Sequence, residues 1–133
     1  MAASIEGRGR ELLEARNFCH VATIATDGTP HVAVVWSHPE GDELWLNGSE
    51  GRTWVENLRR DPRVTLTVVN LEDPYEYLSI KGRVVEITPQ GADDHIDKLA
   101  KKYLDEDSYP SRKEGEVRLI VKVRPEKVAL RGG

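Results

Sequence analysis

The turns between the first β-forming runs of this chain are too short to hold a helix, and that limits the fold more than any other feature. Phe18 to Thr26 is rich in β-formers, Asp27-Gly28-Thr29-Pro30 supplies a hairpin turn, and His31 to His38 returns as a second strand. Pro39-Glu40-Gly41-Asp42 makes another turn, and Glu43 to Gly48 is the third strand. Strands joined this way lie antiparallel, because a parallel neighbour needs a crossover of roughly a dozen residues or more. Most strands here have no crossover helix between them. A doubly wound sheet is therefore disfavoured, and a small, mainly β antiparallel barrel with peripheral helices is expected.

The remaining segments fit that outline. Ser4 to Arg16 carries a partial apolar helical face in Ile5, Leu12, Leu13 and Ala15, with Ser4 placed to cap it. Gly7 and Gly9 weaken its first turns, so the regular part is expected from about Arg10 to Arg16, and Asn17 ends the helix. Thr53 to Arg60 is a short helix stopped at Asp61-Pro62, and Arg63 to Leu71 is a fourth strand. Tyr75 to Thr88 is a long fifth strand, with Gly82 marking a bulge or bend. In Asp93 to Leu104, Ile96, Leu99, Ala100, Tyr103 and Leu104 repeat at helical spacing, with acids early and lysines late. A polar loop, Asp105 to Gly115, leads to a sixth strand, Glu116 to Pro125. Its Val117, Leu119, Val121 and Val123 alternate with Arg118 and Lys122, and a tail strand, Lys127 to Leu130, adds an edge.

Composition narrows the functional classes. A chain of 133 residues supports one domain, spanning 1–133, with a real hydrophobic core. The net charge of −4, with basic and acidic residues interleaved, disfavours a nucleic-acid surface. No apolar run approaches the ~20 residues that span a membrane. Met1-Ala2-Ala3-Ser4 leads into charge rather than a signal-peptide core, and Cys19 is the single cysteine. A cytoplasmic protein is expected.

Four histidines, His20, His31, His38 and His95, offer little for a metal: His31 and His38 fall on one expected strand, roughly 20 Å apart. His95, in the first turns of a charged helix, is expected to face solvent. Cys19 and His20 point to opposite faces as strand neighbours, so a buried structural thiol is expected rather than a nucleophile and its base. No serine sits in a nucleophile elbow and no phosphate-loop signature is present. More informative is Leu44 to Arg63: a strand, a glycine turn and a helix start. Free backbone N–H groups and the helix dipole there suit an anion, and Arg52 adds a charge-assisted contact. The same pattern also describes a plain strand-to-helix connection with solvated arginines. Trp36, Trp45 and Trp54 serve either as packing or as flanks of a planar ring, as do Tyr75 and Tyr77 from a neighbouring chain.

Taken in order, Val21-Ala22-Thr23-Ile24 with Asp27-Gly28-Thr29-Pro30-His31, the run Arg52 to Val64, Tyr77 to Ile87 and His95 to Tyr103 resemble a known family. It is that of the flavin and deazaflavin oxidoreductases related to pyridoxamine-phosphate oxidase, in particular small members that use coenzyme F420. Asn57-Leu58-Arg59-Arg60-Asp61-Pro62-Arg63 is the most specific piece. The resemblance implies a split β-barrel of about six to seven antiparallel strands, forming a homodimer with two cofactor sites at the subunit interface. It places Asn47 at the ring edge, Val34 and Trp36 on the second-strand wall, and Arg52 at the phosphate. The phosphate is held at the turn after the third strand, Gly48, Ser49, Thr53 and Trp54 belong to the same cofactor-binding set, and Tyr77 reaches in from the partner.

Related proteins commonly carry a lysine two positions after this arginine, where the chain has Trp54. One charge-assisted contact of ~1.5–3 kcal/mol is lost with it. The Thr53 hydroxyl, or Arg59 or Arg60 folding back, would compensate. The implied activity is hydride transfer from reduced F420 to a small organic acceptor, with no obligatory protein acid or base. FMN on the same fold, or a non-catalytic carrier of a cofactor, haem or another planar ligand, are the alternatives.

Overall fold

A computed structural model describes residues 3–132, so the reading of Met1 and Ala2 as free of a leader lies outside the described residues. Among the described residues the elements are α1 (Gly7–Glu14), β1 (Cys19–Ile24), β2 (Pro30–Val35), β3 (Ser37–Glu40), β4 (Glu43–Ser49), α2 (Thr53–Arg60), β5 (Arg63–Val69), β6 (Tyr77–Thr88), α3 (Ala92–Leu104) and β7 (Arg118–Arg131). The strands form one antiparallel sheet in the order β2-β1-β5-β6-β7-β4-β3. This is the mainly β split barrel with peripheral helices that the sequence predicts.

The main correction falls between His31 and His38. They do not share a strand: β2 ends at Val35, Trp36 alone intervenes, and β3 begins at Ser37. β2 pairs with β1 at one edge of the sheet, and β3 pairs with β4 at the other. Laid flat, seven strands would hold these edges about 29 Å apart. Two residues of chain span at most about 7 Å. The sheet must therefore curl until its edges meet at Trp36.

The curl encloses the core. Cys19 and Val21 of β1, Leu44 and Leu46 of β4, Leu66 and Val68 of β5, Leu78 and Ile80 of β6, and Val121 and Val123 of β7 pack inward. Leu12 and Leu13 of α1 and Trp54, Val55 and Leu58 of α2 join them. α1 starts at Gly7, earlier than expected, and its cap residue is Glu6 rather than Ser4, without a side-chain capping bond. Burial decides this: a Cβ on Gly9 would lie 3.1 Å from Leu78 Cδ1, so the glycine permits close packing where propensity alone disfavours it. The two expected C-terminal strands are one. Pro125 lies opposite Gly82 where the β6–β7 register shifts, so a residue without an N–H is tolerated there.

Outside the barrel, α3 builds a second cluster from Ile96, Leu99 and Tyr103, against which Trp36 and Tyr109 pack. The Tyr103 hydroxyl donates to the Asn17 carbonyl at 2.7 Å and accepts the Ser37 N–H at 3.2 Å. Its ring stacks on Trp36 at 5.2 Å between centroids. Lys102 Nζ donates to the carbonyls of Leu13 at 2.6 Å and Ser37 at 2.7 Å. Burial lowers the pKa of Lys102 to about 8. α3 thus clamps the point where the two sheet edges meet. Tyr103→Phe strips partners from buried backbone groups and should cost about 1–3 kcal/mol, read as a lowered denaturation midpoint.

Candidate functional site

Sheet closure at Trp36 leaves a cleft beside it. The cleft has a volume of about 480 Å³ and its walls include Val34 and Trp36 from the end of β2, Asn47 and Gly48 from β4, and Arg52 and Trp54 at the start of α2. Tyr109 and Ser111 of the loop after α3, and Arg118 of β7, complete it. This size is ordinary for a small-molecule site. Ser49, Thr53 and Tyr77 are not among the lining residues. Ser49 is buried and accepts the Arg52 N–H through its carbonyl at 3.2 Å, whereas Thr53 is exposed. Tyr77 lies on the outer face of β6, paired with Val69 and Arg131.

Arg52 is the N-cap residue of α2, its carbonyl accepting the N–H groups of Val55 and Glu56. The first amides of a helix have no intrahelical partner, so those of Thr53 and Trp54 remain for an anion. The Arg52 side chain is exposed and makes no ion pair or hydrogen bond among the described residues. Arg59 and Arg60 do not fold back toward it. Arg59 pairs with Glu50 at 2.6 Å and Glu56 at 3.6 Å, while Arg60 donates to the Ile24 carbonyl and to Asn57 Oδ1.

Trp54 is core. It is 5% exposed, and a Cβ on Gly48 would come within 2.6 Å of its indole. Gly48 is therefore required by the tryptophan that packs over it. Trp54→Lys, which installs the lysine that the resemblance leads one to expect, places an ammonium in that apolar slot. It should destabilise the fold by about 3–5 kcal/mol in equilibrium unfolding.

The largest departure from expectation is His95, which is 5% exposed rather than solvent-facing. Its Nδ1 accepts the Asn47 side-chain amide at 2.9 Å, and Trp45 packs edge-on at 5.8 Å. Asn47 Nδ2 also donates to the Ala92 carbonyl at 3.1 Å, and its Oδ1 accepts Arg118 Nε at 2.9 Å. Arg118 further pairs with Glu116 and lies over the Tyr109 ring, 5.2 Å from the centroid. Arg112 pairs with Asp93 and Asp97, and Asp97 also accepts the Tyr109 N–H at 2.8 Å, which pins the loop to α3. Cys19 is fully buried, and desolvation pushes its thiol up to about 12. His20 points to the opposite sheet face and meets the Thr67 carbonyl.

Burial, reinforced by Lys98, His38 and Arg118 and opposed by Glu40, lowers His95 from 6.5 to about 4. A histidine depressed in the folded state contributes stability above its unfolded pKa and loses it as the pH falls toward the folded value. Between pH 6.5 and 4 this group should cost about 3 kcal/mol, and His38, also lowered by burial, acts in the same sense. Denaturant titrations across that range should show the slope, and His95→Gln should flatten it.

A family model for pyridoxamine 5'-phosphate oxidase matches residues 5–132. The chain belongs to the pyridoxamine 5'-phosphate oxidase family. A solved structure described as an F420 reductase superposes on this member with a TM-score of 0.83 at 29% identity, covering 94% of this chain and 98% of that one. A conserved hypothetical protein from Mycobacterium tuberculosis superposes with a TM-score of 0.72 at 19% identity, covering 98% and 86%. The haem storage protein HutZ from Vibrio cholerae does so with a TM-score of 0.68 at 12% identity, covering 97% and 96%. These last two share the fold. No helix among the described residues is long and apolar enough to cross a membrane.

Proposed function

We propose that this protein is a cytoplasmic oxidoreductase that binds coenzyme F420 in the cleft beside Trp36 and serves a small organic acceptor. The observation that carries the reading is Arg52, unpaired among the described residues, at the N-terminus of α2 on a cleft walled by Trp36 and Tyr109. An aromatic wall suits a planar ring, and a helix start with a free cation suits its phosphate. The likeness to an F420 reductase favours the deazaflavin over FMN.

A bound deazaflavin or flavin supplies the hydride chemistry. The chain's own part is placement. β2 is a sheet edge, so backbone groups on the side away from β1 are open to hydrogen-bond a ligand. Ile96 and Leu104 add apolar surface beside the aromatic wall. Arg52 holds the anionic end while the rigid barrel fixes the other wall. In a homodimer, the outer sheet face bearing Val32 and Tyr77 would meet its counterpart and cover the open side.

Titration with F420 should quench tryptophan emission with a micromolar or tighter Kd, since Trp36 and Trp54 line the cleft. Arg52→Ala should weaken binding by roughly 10- to 100-fold. FMN titrated in parallel decides between the ring systems, and failure of both to bind overturns the reading.

A further inference from the structure

We propose that Arg118 hydrogen-bonds a carbonyl or partly anionic oxygen on the edge of the bound ring, and that Asn47 and His95 are positioning residues that aim it. This rests on the cleft being the ring site. Arg118 is 8% exposed, yet it lines the cleft. Nε is engaged by Asn47 and Nη1 by Glu116, while the guanidinium lies over Tyr109. Nη2 has no partner among the described residues and is left for a ligand.

Charge separates the roles of the two arginines. Glu116, whose side chain is 13% exposed, neutralises Arg118 at close range, so Arg118 acts as an oriented donor rather than a free cation. An oriented donor suits a ring oxygen, whereas an anionic phosphate is better served by Arg52, whose side chain is unpaired among the described residues. Depth points the same way. Arg118 lines the cleft while 8% exposed, and Arg52 is exposed at the helix start.

Asn47 itself has nothing left to donate. Both amide hydrogens are committed, one to the Ala92 carbonyl and one to His95 Nδ1. That leaves its Oδ1 turned to Arg118. His95 fixes the orientation because its Nδ1 must remain an acceptor. A proton on Nδ1 would repel Nδ2, and the amide flip that relieved this would set Nδ2 against Arg118 Nε, donor against donor. Asn47 therefore acts on the ligand through Arg118.

The test uses FMN with riboflavin, which differ only in phosphate, and beside them F420 with the ribityl deazaflavin that lacks its phosphodiester and all that is attached beyond it. Each is titrated against wild type, Arg52→Ala, Arg118→Lys and Asn47→Ala, following fluorescence and the visible spectrum of the bound ring. Arg118→Lys should weaken both members of a pair by the same factor, about tenfold or more, and shift the ring's visible band. Asn47→Ala should produce the same band shift with a smaller loss, whereas a merely structural role would leave the bound spectrum unmoved. Arg52→Ala should weaken only the phosphorylated member.

If Arg118→Lys does not fold, Arg118→Ala with added methylguanidinium replaces it, and recovery of ring binding is then expected. An unchanged affinity in Arg118→Lys, or a loss confined to the phosphorylated ligand, overturns the assignment. If Arg52→Ala keeps its selective effect in that case, the cleft reading stands without it. If wild type binds neither pair, both fall together.

Discussion

The single residue between β2 and β3 governs this structure. An edge strand on one side of a seven-stranded sheet is tied through Trp36 to an edge strand on the other. That covalent link excludes an open sheet, whatever the side chains prefer. Once the sheet is curled, the inward-facing leucines and valines meet across the barrel instead of needing a second layer. Helices are left to fill the ends and cover the seam. The aromatic ring of Trp36 is itself part of the closure, stacked on Tyr103 and set edge-on to Tyr109 at 5.9 Å.

The seam is also where the cleft forms, and the two facts share a cause. A closed barrel offers its ligands only its mouths, but a sheet whose edges touch at one point leaves a wedge on either side of it. One wall of that wedge is the free edge of β2, and the other is built from β4, the start of α2 and the buried Arg118. α3 holds this second wall from behind. Its N-terminal end carries His95 to Asn47, and Asp93 and Asp97 anchor the loop that carries Tyr109. The packing that closes the sheet also orients the polar groups of the cleft.

Local signals sufficed where local chemistry decided the outcome. Thr53 to Arg60 is a helix because a glycine turn precedes it and Asp61-Pro62 follows it. The bulge at Gly82 appears where an isolated glycine interrupts a strand. The break at Trp36 had no local signal, since Val34-Val35-Trp36-Ser37-His38 continues a β-forming run and only the distant edge of the sheet interrupts it. His95 was hidden by its acidic neighbours, although its spacing to Leu99 places it on the buried face of α3. Arg118 was hidden by strand alternation, which puts it on the outer face. Ile120 shares that face, and it was the sign that the outer side of β7 is covered too.

Trp54 shows how one side chain sets the character of the proposed anion site. A lysine two residues after Arg52 would add a second mobile cation there. The indole goes inward instead, packs on Gly48 and stiffens the junction between β4 and α2. What remains for an anion is one unpaired arginine and the fixed N–H groups of a helix start. Those N–H groups are held by the helix, do not titrate, and lose no rotamer freedom on binding, whereas a lysine loses up to about 2 kcal/mol of it. A tryptophan in place of a lysine thus gives up charge for rigidity. A site of this kind depends on the placement of β4 and α2 as much as on the arginine, and that placement is what the Trp54–Gly48 contact secures.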